Sequence, residues 1–433
     1  MASDKKSSFL FITYAYPPFK AVGSFRSYYL AEELVNKGYD VKVSTTKNYK
    51  FLDRQELPID NRIKVKRLIS FDYNFIKGLL GNKKKNTTTQ KKQSTKENIS
   101  KRIIDTFPFN IIYGLGGLIY ILHSLFYNIP RLKNTTHIYS SFRPYSDHFI
   151  AFVLKTLKPS LYWHADFRDI HVDEYKLNVI SVRYQKRINK FLFKKANVIT
   201  SVSNSYLKNL KTYNMNHHLL PNGYNRMMED RFNKSEVESF SKFRISHAGS
   251  LYNGRRDPRF LFGIIQELIK DNRIDQNDLM LSYAGSDGAL WLKLLKEYDL
   301  DSCCQDLGSI NHSDSVKLQK SSNVNLMITW ATKNGGTFPA KFFEYLIARQ
   351  PILTIINGEE DKEFDFIFDK YRIGNLVYNK EEDKASLKNF IQSEYKSWET
   401  KIRNTQYDFE EILTEYNWSN LIDRFLELNK IKE

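Results

Sequence analysis

The stretch NGGTFPAKFFEYLIARQPILTI, residues 334 to 355, places the residue types of a phosphate site in the order such a site requires. Gly335 and Gly336 let a ligand approach backbone amides that a side chain would block, and Thr337 adds a hydroxyl donor. Phe338 and Pro339 follow, and the ring of Pro339 fixes the backbone angle near a helix start. Phe342, Phe343, Leu346 and Ile347 then recur at helical spacing, so the free amides and positive end of that helix point back at the glycines. Lys341 and Glu344, three residues apart, share one helical face. A cation and an acceptor so placed could hold the phosphates and ribose hydroxyls of one nucleotide. The same pattern also describes an ordinary glycine-containing loop before a buried helix, with Lys341 and Glu344 as a solvated ion pair.

The elements that must position these residues are short apolar runs alternating with helical patterns, the signature of parallel sheets flanked by helices. The first half predicts strands at 9–14, 41–45, 138–141, 161–165, 198–202 and 218–220, and the second at 244–248, 280–284, 324–329 and 352–355. Two doubly wound α/β domains follow. The predicted boundaries are 1–226 and 243–400, with 227–242 as a linker and 401–433 as C-terminal helices packing back on the first domain. In open α/β sheets ligands bind beyond the carboxyl ends of the strands, so those loops carry the candidates. They hold Gly23, the run Asp166, Phe167, Arg168 and Asp169, then Asn222, the run Gly249 and Ser250 to Arg255 and Arg256, and Gly285. Each alone is an ordinary turn composition, and their recurrence in both halves is the signal.

At 433 residues the chain exceeds one hydrophobic core. Its two cysteines are the neighbours Cys303 and Cys304, which offer neither a disulfide framework nor zinc-ligand spacing, so a reducing cytoplasmic compartment is expected. The first residues contain no apolar run long enough for an export signal. The net charge of +17 is unevenly placed, because residues 77–102 hold nine Lys or Arg against the single acid Glu97. That polar, low-complexity run cannot fold alone. The apolar, aromatic segment 107–130 comes next and predicts a helix. Together they suggest peripheral contact with an anionic membrane surface; the alternative is a solvated loop before a core helix. Asn110, Gly114, Gly116, Gly117, His123 and Asn128 interrupt the segment too often for a bilayer span. No basic-and-aromatic motif of nucleic-acid recognition accompanies the charge.

With these segments in order, the chain resembles the retaining glycosyltransferases of the GT-B fold, specifically the large family 4 group. The resemblance rests on YPPFKAVGSFRSYYLAEELVNKGYDVKVST, SSFRPYSDHFIAFVLK, ADFRD, LLPNGYN, HAGSLYNGRRDP and GGTFPAKFFEYLIARQPIL. It implies two Rossmann-like domains facing across a cleft, with a nucleotide-sugar donor held mainly by the second and a saccharide or lipid-linked saccharide acceptor by the first. Glu344 matches the second glutamate of the family's paired-glutamate motif and would bind the ribose. The first glutamate is replaced by Gly336. Ser250 stands where the family carries its first diphosphate cation, so Arg256, Arg255 and Lys341 are the cations this chain offers. Gly23 matches the glycine loop of the first domain, and Asp166, Arg168 and Asp169, beside His164, match the active-site loop with its usual histidine replaced. A structural Asp–Arg pair is the other reading of that loop.

The resemblance implies glycosyl transfer with retention, in the assembly of a bacterial capsule or lipopolysaccharide at the inner membrane face. Fixed arginines and a helix amino terminus would stabilise the charge that builds on the departing diphosphate, with no metal and no other cofactor. Two other readings remain: a sugar-nucleotide epimerase of the same fold, and a non-catalytic scaffold or carbohydrate-binding subunit, which the missing glutamate and Ser250 would fit.

Overall fold

Runs such as SFLFI and HIYSSF are buried at every position, and strands covered on both faces read as continuous apolar or small-residue runs rather than as alternation. The computed structural model describes residues 7–19, 22–48, 57–72, 75, 106–112, 114–168, 179–238, 241–252, 254–332, 335–336, 339, 341–402 and 406–431. The basic run 77–102 lies outside them. The chain divides into two compact units, 1–222 with 418–433, and 223–417.

The first unit is built on seven parallel strands: β1 (Ser8–Ile12), β2 (Asp40–Thr46), β3 (Lys64–Leu68), β4 (His137–Phe142), β5 (Tyr162–Phe167), β6 (Val198–Ser201) and β7 (His217–Leu219). Their order is β3-β2-β1-β4-β5-β6-β7, so the winding reverses between β1 and β4. The helices are α1 (Val22–Asn36), α2 (Phe109–Ile112), α3 (Gly117–Asn128), α4 (Tyr145–Leu157), α5 (Val179–Phe193) and α6 (Asn204–Leu210). Because side chains alternate along β1, Leu10 and Ile12 join the core beneath α3, α4 and α5. Phe9 points the other way, against Phe425 of the last helix, Trp418–Leu428. That helix also packs on α1.

The second unit has β8 (Phe243–Ala248), β9 (Leu279–Ala284), β10 (Cys304–Asp306), β11 (Val324–Thr332), β12 (Gly335–Gly336), β13 (Ile352–Gly358) and β14 (Gly374–Tyr378). The parallel order is β10-β9-β8-β11-β13-β14, with β12 antiparallel on β11. Its helices are α7 (Arg226–Lys234), α8 (Arg259–Lys270), α9 (Gly288–Lys296), α10 (His312–Lys320), α11 (Lys341–Ala348), α12 (Lys362–Lys370) and α13 (Lys384–Thr400). One face of the sheet packs Ile245, Leu281 and Leu326 with α8, α9 and α13. The other packs Ile352 and Ile356 with α7, α11, α12 and residues 409–416.

The doubly wound architecture is the one the sequence indicates, and the departures have physical causes. Of the unread strands, β3, β10 and β14 are sheet edges, and the two-residue β12 lies off the parallel path, on β11. An edge strand is half solvated and needs no apolar run, which is why KVKRL and CQD carry charges. The helix expected over 107–130 is two helices, α2 and α3, because Gly116 (φ 86°) and Gly117 (φ 64°) turn the chain in the left-handed region. In the stretch read as a linker, α7 forms under an Asn225 side-chain cap and buries Phe232 in the second unit's core. Within 401–433 the division falls between Asn417 and Trp418, since Phe409, Ile412, Leu413 and Tyr416 belong to that same core.

Candidate functional site

In the second unit the winding reverses between β8 and β11, so the loops that leave these two strands diverge at their carboxyl ends. After β8 the chain turns at Gly249, where a Cβ would stand 3.3 Å from Arg256 Nη1. The Ser250 hydroxyl and the Leu251 amide both donate to Asp287 Oδ2, each at 2.7 Å, which pins this loop to the one after β9. Arg256 Nη1 donates to the Ser250 carbonyl at 3.1 Å. The guanidinium lies 4.6 Å from the Tyr252 ring centroid and 5.7 Å from that of Trp330 at the end of β11. Arg255, exposed, lies 6.0 Å from Trp330.

Arg256 is half-buried, and its Nε is buried with no hydrogen-bond partner. Burial pulls its pKa down, and no carboxylate among the described residues pairs with it or with Arg255. A desolvated cation with an unused donor is costly alone and is the electrostatic complement of an anion. Gly285 serves packing at this point: its amide donates to the Gly308 carbonyl, and a Cβ would approach the Gly249 carbonyl and Tyr283 hydroxyl to 2.4 Å.

After β11 the pair Gly335–Gly336 forms a two-residue antiparallel ladder on Ala331 and Thr332, a hairpin where the sequence suggested an open cradle. Thr337 and Phe338 lie outside the described residues. The Pro339 carbonyl accepts from the Phe342 amide at 3.0 Å, and α11 begins there. Lys341 Nζ reaches Glu344 Oε2 at 2.7 Å and Ser315 Oγ at 3.0 Å. Gln319 Nε2 donates to the same carboxylate oxygen at 3.0 Å, and His312 Nε2 stands 3.7 Å from Oε1. Burial pushes the Glu344 carboxyl up, but His312, Lys341 and Gln319 outweigh it and hold the group at about 2. Glu344 is thus an ionised, nearly buried acceptor on a cationic bed, and Lys341 is shared between that carboxylate and solvent.

The first unit brings its candidates together in two groups. Asp166, at the end of β5, takes two bonds from Arg26 of α1 at 2.8 and 2.9 Å, one from Tyr139 at 2.8 Å and one from Thr200 at 2.7 Å. Arg26 also donates to the carbonyls of Leu220 and Pro221 and to the side chain of Asn222. Both ions are fully buried; burial pushes the Asp166 carboxyl up, and Arg26 overcomes this to hold it at about 2. Asp166 and Asn222 are therefore occupied in a hub that ties α1, β4, β5, β6 and the segment after β7. His164 lies within that hub, bonded to Thr200 and Asn429. Arg168 forms the second group: it donates to Ser141 Oγ and to the Arg143 carbonyl, each at 2.9 Å. Its Nη1 sits where a Gly23 Cβ would be 1.1 Å away, so the missing side chain at 23 makes room for this guanidinium. No carboxylate among the described residues pairs with Arg168. Asp169 lies outside them.

Sequence reasoning assigned no role to Asp287, Tyr252, Trp330, Gln319, His312 or Arg26. Asp287 in the turn GSDG after a strand was a readable signal. Gln319 and His312 were not, because their roles depend on α10 lying beside α11. Among the described residues no group of three or more His, Cys, Asp or Glu side chains is placed to hold a metal ion.

No protein-family model matches the chain, and no curated protein matches its sequence. Solved structures do match its shape. Sucrose-phosphate synthase from Thermosynechococcus elongatus is similar over 98% of both chains, with a TM-score of 0.60 at 14% identity. The catalytic domain of starch synthase IV from Arabidopsis thaliana, bound to ADP and acarbose, is similar over 98% of this chain and 99% of its own, with a TM-score of 0.56 at 11% identity. S. aureus TarM, in complex with Fondaparinux, alpha-GlcNAc-glycerol and UDP, matches over 98% and 99%, with a TM-score of 0.54 at 11% identity. With two doubly wound parallel sheets and these neighbours, the chain has the GT-B fold.

Proposed function

We propose that the protein is a glycosyltransferase that takes a sugar from a nucleotide-sugar donor held by the second unit. The observation that carries this reading is Arg256, a half-buried guanidinium with an unused donor and no carboxylate partner, at the switch point of a parallel sheet. In this reading Arg256 and Arg255 bind the donor diphosphate, with Lys341 as a third cation. Glu344 accepts from the ribose hydroxyls. As the glycosidic bond to the diphosphate breaks, negative charge builds on the leaving oxygens, and guanidiniums already fixed in place stabilise it without reorganising. That positive charge is supplied by the chain itself, so the transfer runs without a metal. Configuration is retained, with the acceptor attacking from the leaving-group side and the departing diphosphate taking its proton. The first unit takes the acceptor, a saccharide or lipid-linked saccharide of a growing cell-surface polysaccharide such as capsule or lipopolysaccharide. Arg168 beside Gly23 is its candidate cation, while Asp166 acts as a positioning residue through Arg26.

The test is calorimetric titration with a panel of nucleoside diphosphates and their sugars, with and without magnesium. Selective binding of one nucleotide, unaffected by magnesium and lost in Arg256→Ala, is expected. Equal binding by the folded Arg256→Ala variant would refute the assignment.

A further inference from the structure

One face of the first unit's sheet is covered by α3, α4 and α5 lying side by side. Their inner faces share one core, to which α3 gives Tyr120 and Ile121, α4 gives Ile150 and Leu154, and α5 gives Leu192 and Phe193. The outer face of the layer is also apolar. Leu118, Ile119, Leu122 and Phe126 fall within an arc of about 100° on α3 at the helical repeat, all exposed, and Phe126 is 83% exposed. On α5, Ile180 is 79% and Phe191 65% exposed, and the Phe191 ring lies 5.7 Å from Phe152 of α4, which joins the two helices into one surface.

Among the described residues of this layer, the exposed charge has one sign. Residues 106–168 and 179–222 contain fourteen Lys or Arg and only two carboxylates, Asp147 and Asp166. Both carboxylates are fully buried, so these stretches expose no acid at all. By sequence, the chain before the layer, residues 77–105, adds nine more cations against the two acids Glu97 and Asp105, and residues 169–178 before α5 hold Asp169, Asp173 and Glu174 against Lys176, so the excess across 77–222 stays strongly positive. Pairing this face with a second copy of itself would bring like charges together at close range, which disfavours a self-dimer. A nucleic-acid duplex would satisfy the charge but has no use for a patch dominated by exposed Leu and Ile side chains. An anionic lipid surface satisfies both, because apolar side chains enter the headgroup boundary while Lys and Arg meet the phosphates. No helix of the described residues is long and apolar enough to cross a membrane, so contact by this layer is side-on.

We propose that the outer face of α3, α4 and α5 docks the protein on an anionic phospholipid bilayer. The docking needs no nucleotide, so it stands or falls apart from the proposed transferase activity. The test is co-sedimentation of the full chain with phosphatidylcholine vesicles, with and without phosphatidylglycerol, over a range of salt. Partitioning onto the anionic vesicles is expected, weakening as salt rises. The charge-neutral double variant Leu122→Ser, Phe126→Ser should partition about tenfold or more weaker, from the free energy of burying large apolar side chains. Since both side chains are exposed, its unfolding midpoint should stay within about 2 °C of wild type. Ile180→Ser with Phe191→Ser should act in the same direction. Failure of the folded wild type to bind anionic vesicles overturns the proposal. So does undiminished binding by both double variants, which would leave only a polycation able to hold any polyanion, nucleic acid included. A wild-type dimer in sedimentation velocity that these variants abolish would assign the face to a second copy instead.

Discussion

Replacing Arg256 by methionine should cost nucleotide affinity while leaving stability close to wild type. In the free protein the Arg256 Nε is buried without a partner, and an unsatisfied buried donor costs about 1–3 kcal/mol. Methionine keeps an apolar stem against the Tyr252 and Trp330 rings but loses the cation–π attraction, worth about 0.5–1 kcal/mol, and the Nη1 hydrogen bond to the Ser250 carbonyl, worth about 0.5–1.5 kcal/mol. The opposing contributions nearly cancel and leave the ligand-free variant within about 2 kcal/mol of wild type. Losing one charge-assisted hydrogen bond to the diphosphate should cost about 1.5–3 kcal/mol, a dissociation constant roughly 10- to 150-fold weaker. Urea titrations of the free protein and calorimetry with the preferred nucleoside diphosphate measure the two effects. If the variant loses more than about 2 kcal/mol of stability while nucleotide affinity is intact, Arg256 holds the loop together and the donor-site argument fails.

Asp166→Asn breaks the buried pair with Arg26 and leaves a buried guanidinium uncompensated, so a loss of about 3–5 kcal/mol in denaturant unfolding is expected; a loss under about 1 kcal/mol would contradict the hub. Glu344→Gln should weaken nucleotide binding about tenfold in calorimetry, in a protein that still folds but is less stable at neutral pH, and unchanged affinity would remove its ribose role. Because the Glu344 carboxyl falls from 4.5 to about 2 on folding, its contribution is complete above 4.5 and is lost as pH drops through that window. In wild type stability should fall below pH 4.5, and less steeply in Glu344→Gln, where Asp166 still contributes. His164 and His247 are both pushed by burial from 6.5 to about 4, so between those values the unfolded chain binds more protons. Stability should therefore decline as pH drops from 6.5 towards 4, and denaturant midpoints in His247→Leu should depend on pH less steeply.

How much of the site was legible depended on how far apart its partners lie in the chain. Lys341 and Glu344 are three residues apart on one helix, and spacing alone placed them on one face, where their ion pair is found. Gln319, Ser315 and His312, which complete that carboxylate's surroundings, come from α10 and carried no local mark. The run Ala165 to Arg168 was visible as a strand end followed by polar residues. Its chemistry was not: Asp166 turns inward to Arg26, 140 residues away, whereas Arg168 turns to the space beside Gly23. Residues two apart on a strand share a face, but β5 ends at Phe167, so Arg168 leaves the pleat, and where it then turns is a property of the packed loops.

The sequence by itself determined the architecture and the exposed charge. Central strands must be apolar on both faces and helices on one, and these periodicities are written locally, residue by residue. Tertiary structure decided everything that depends on long-range pairing. It made edge strands of the charged segments KVKRL and CQD and committed Asp166 to a buried hub. It also left Arg256 without a carboxylate among the described residues and gathered the exposed apolar residues of α3 and α5 onto one helical layer. The reason is common to all four: burial and desolvation depend on which segments meet in space, and a side chain's role as strut, anion receptor or docking surface follows from that surrounding.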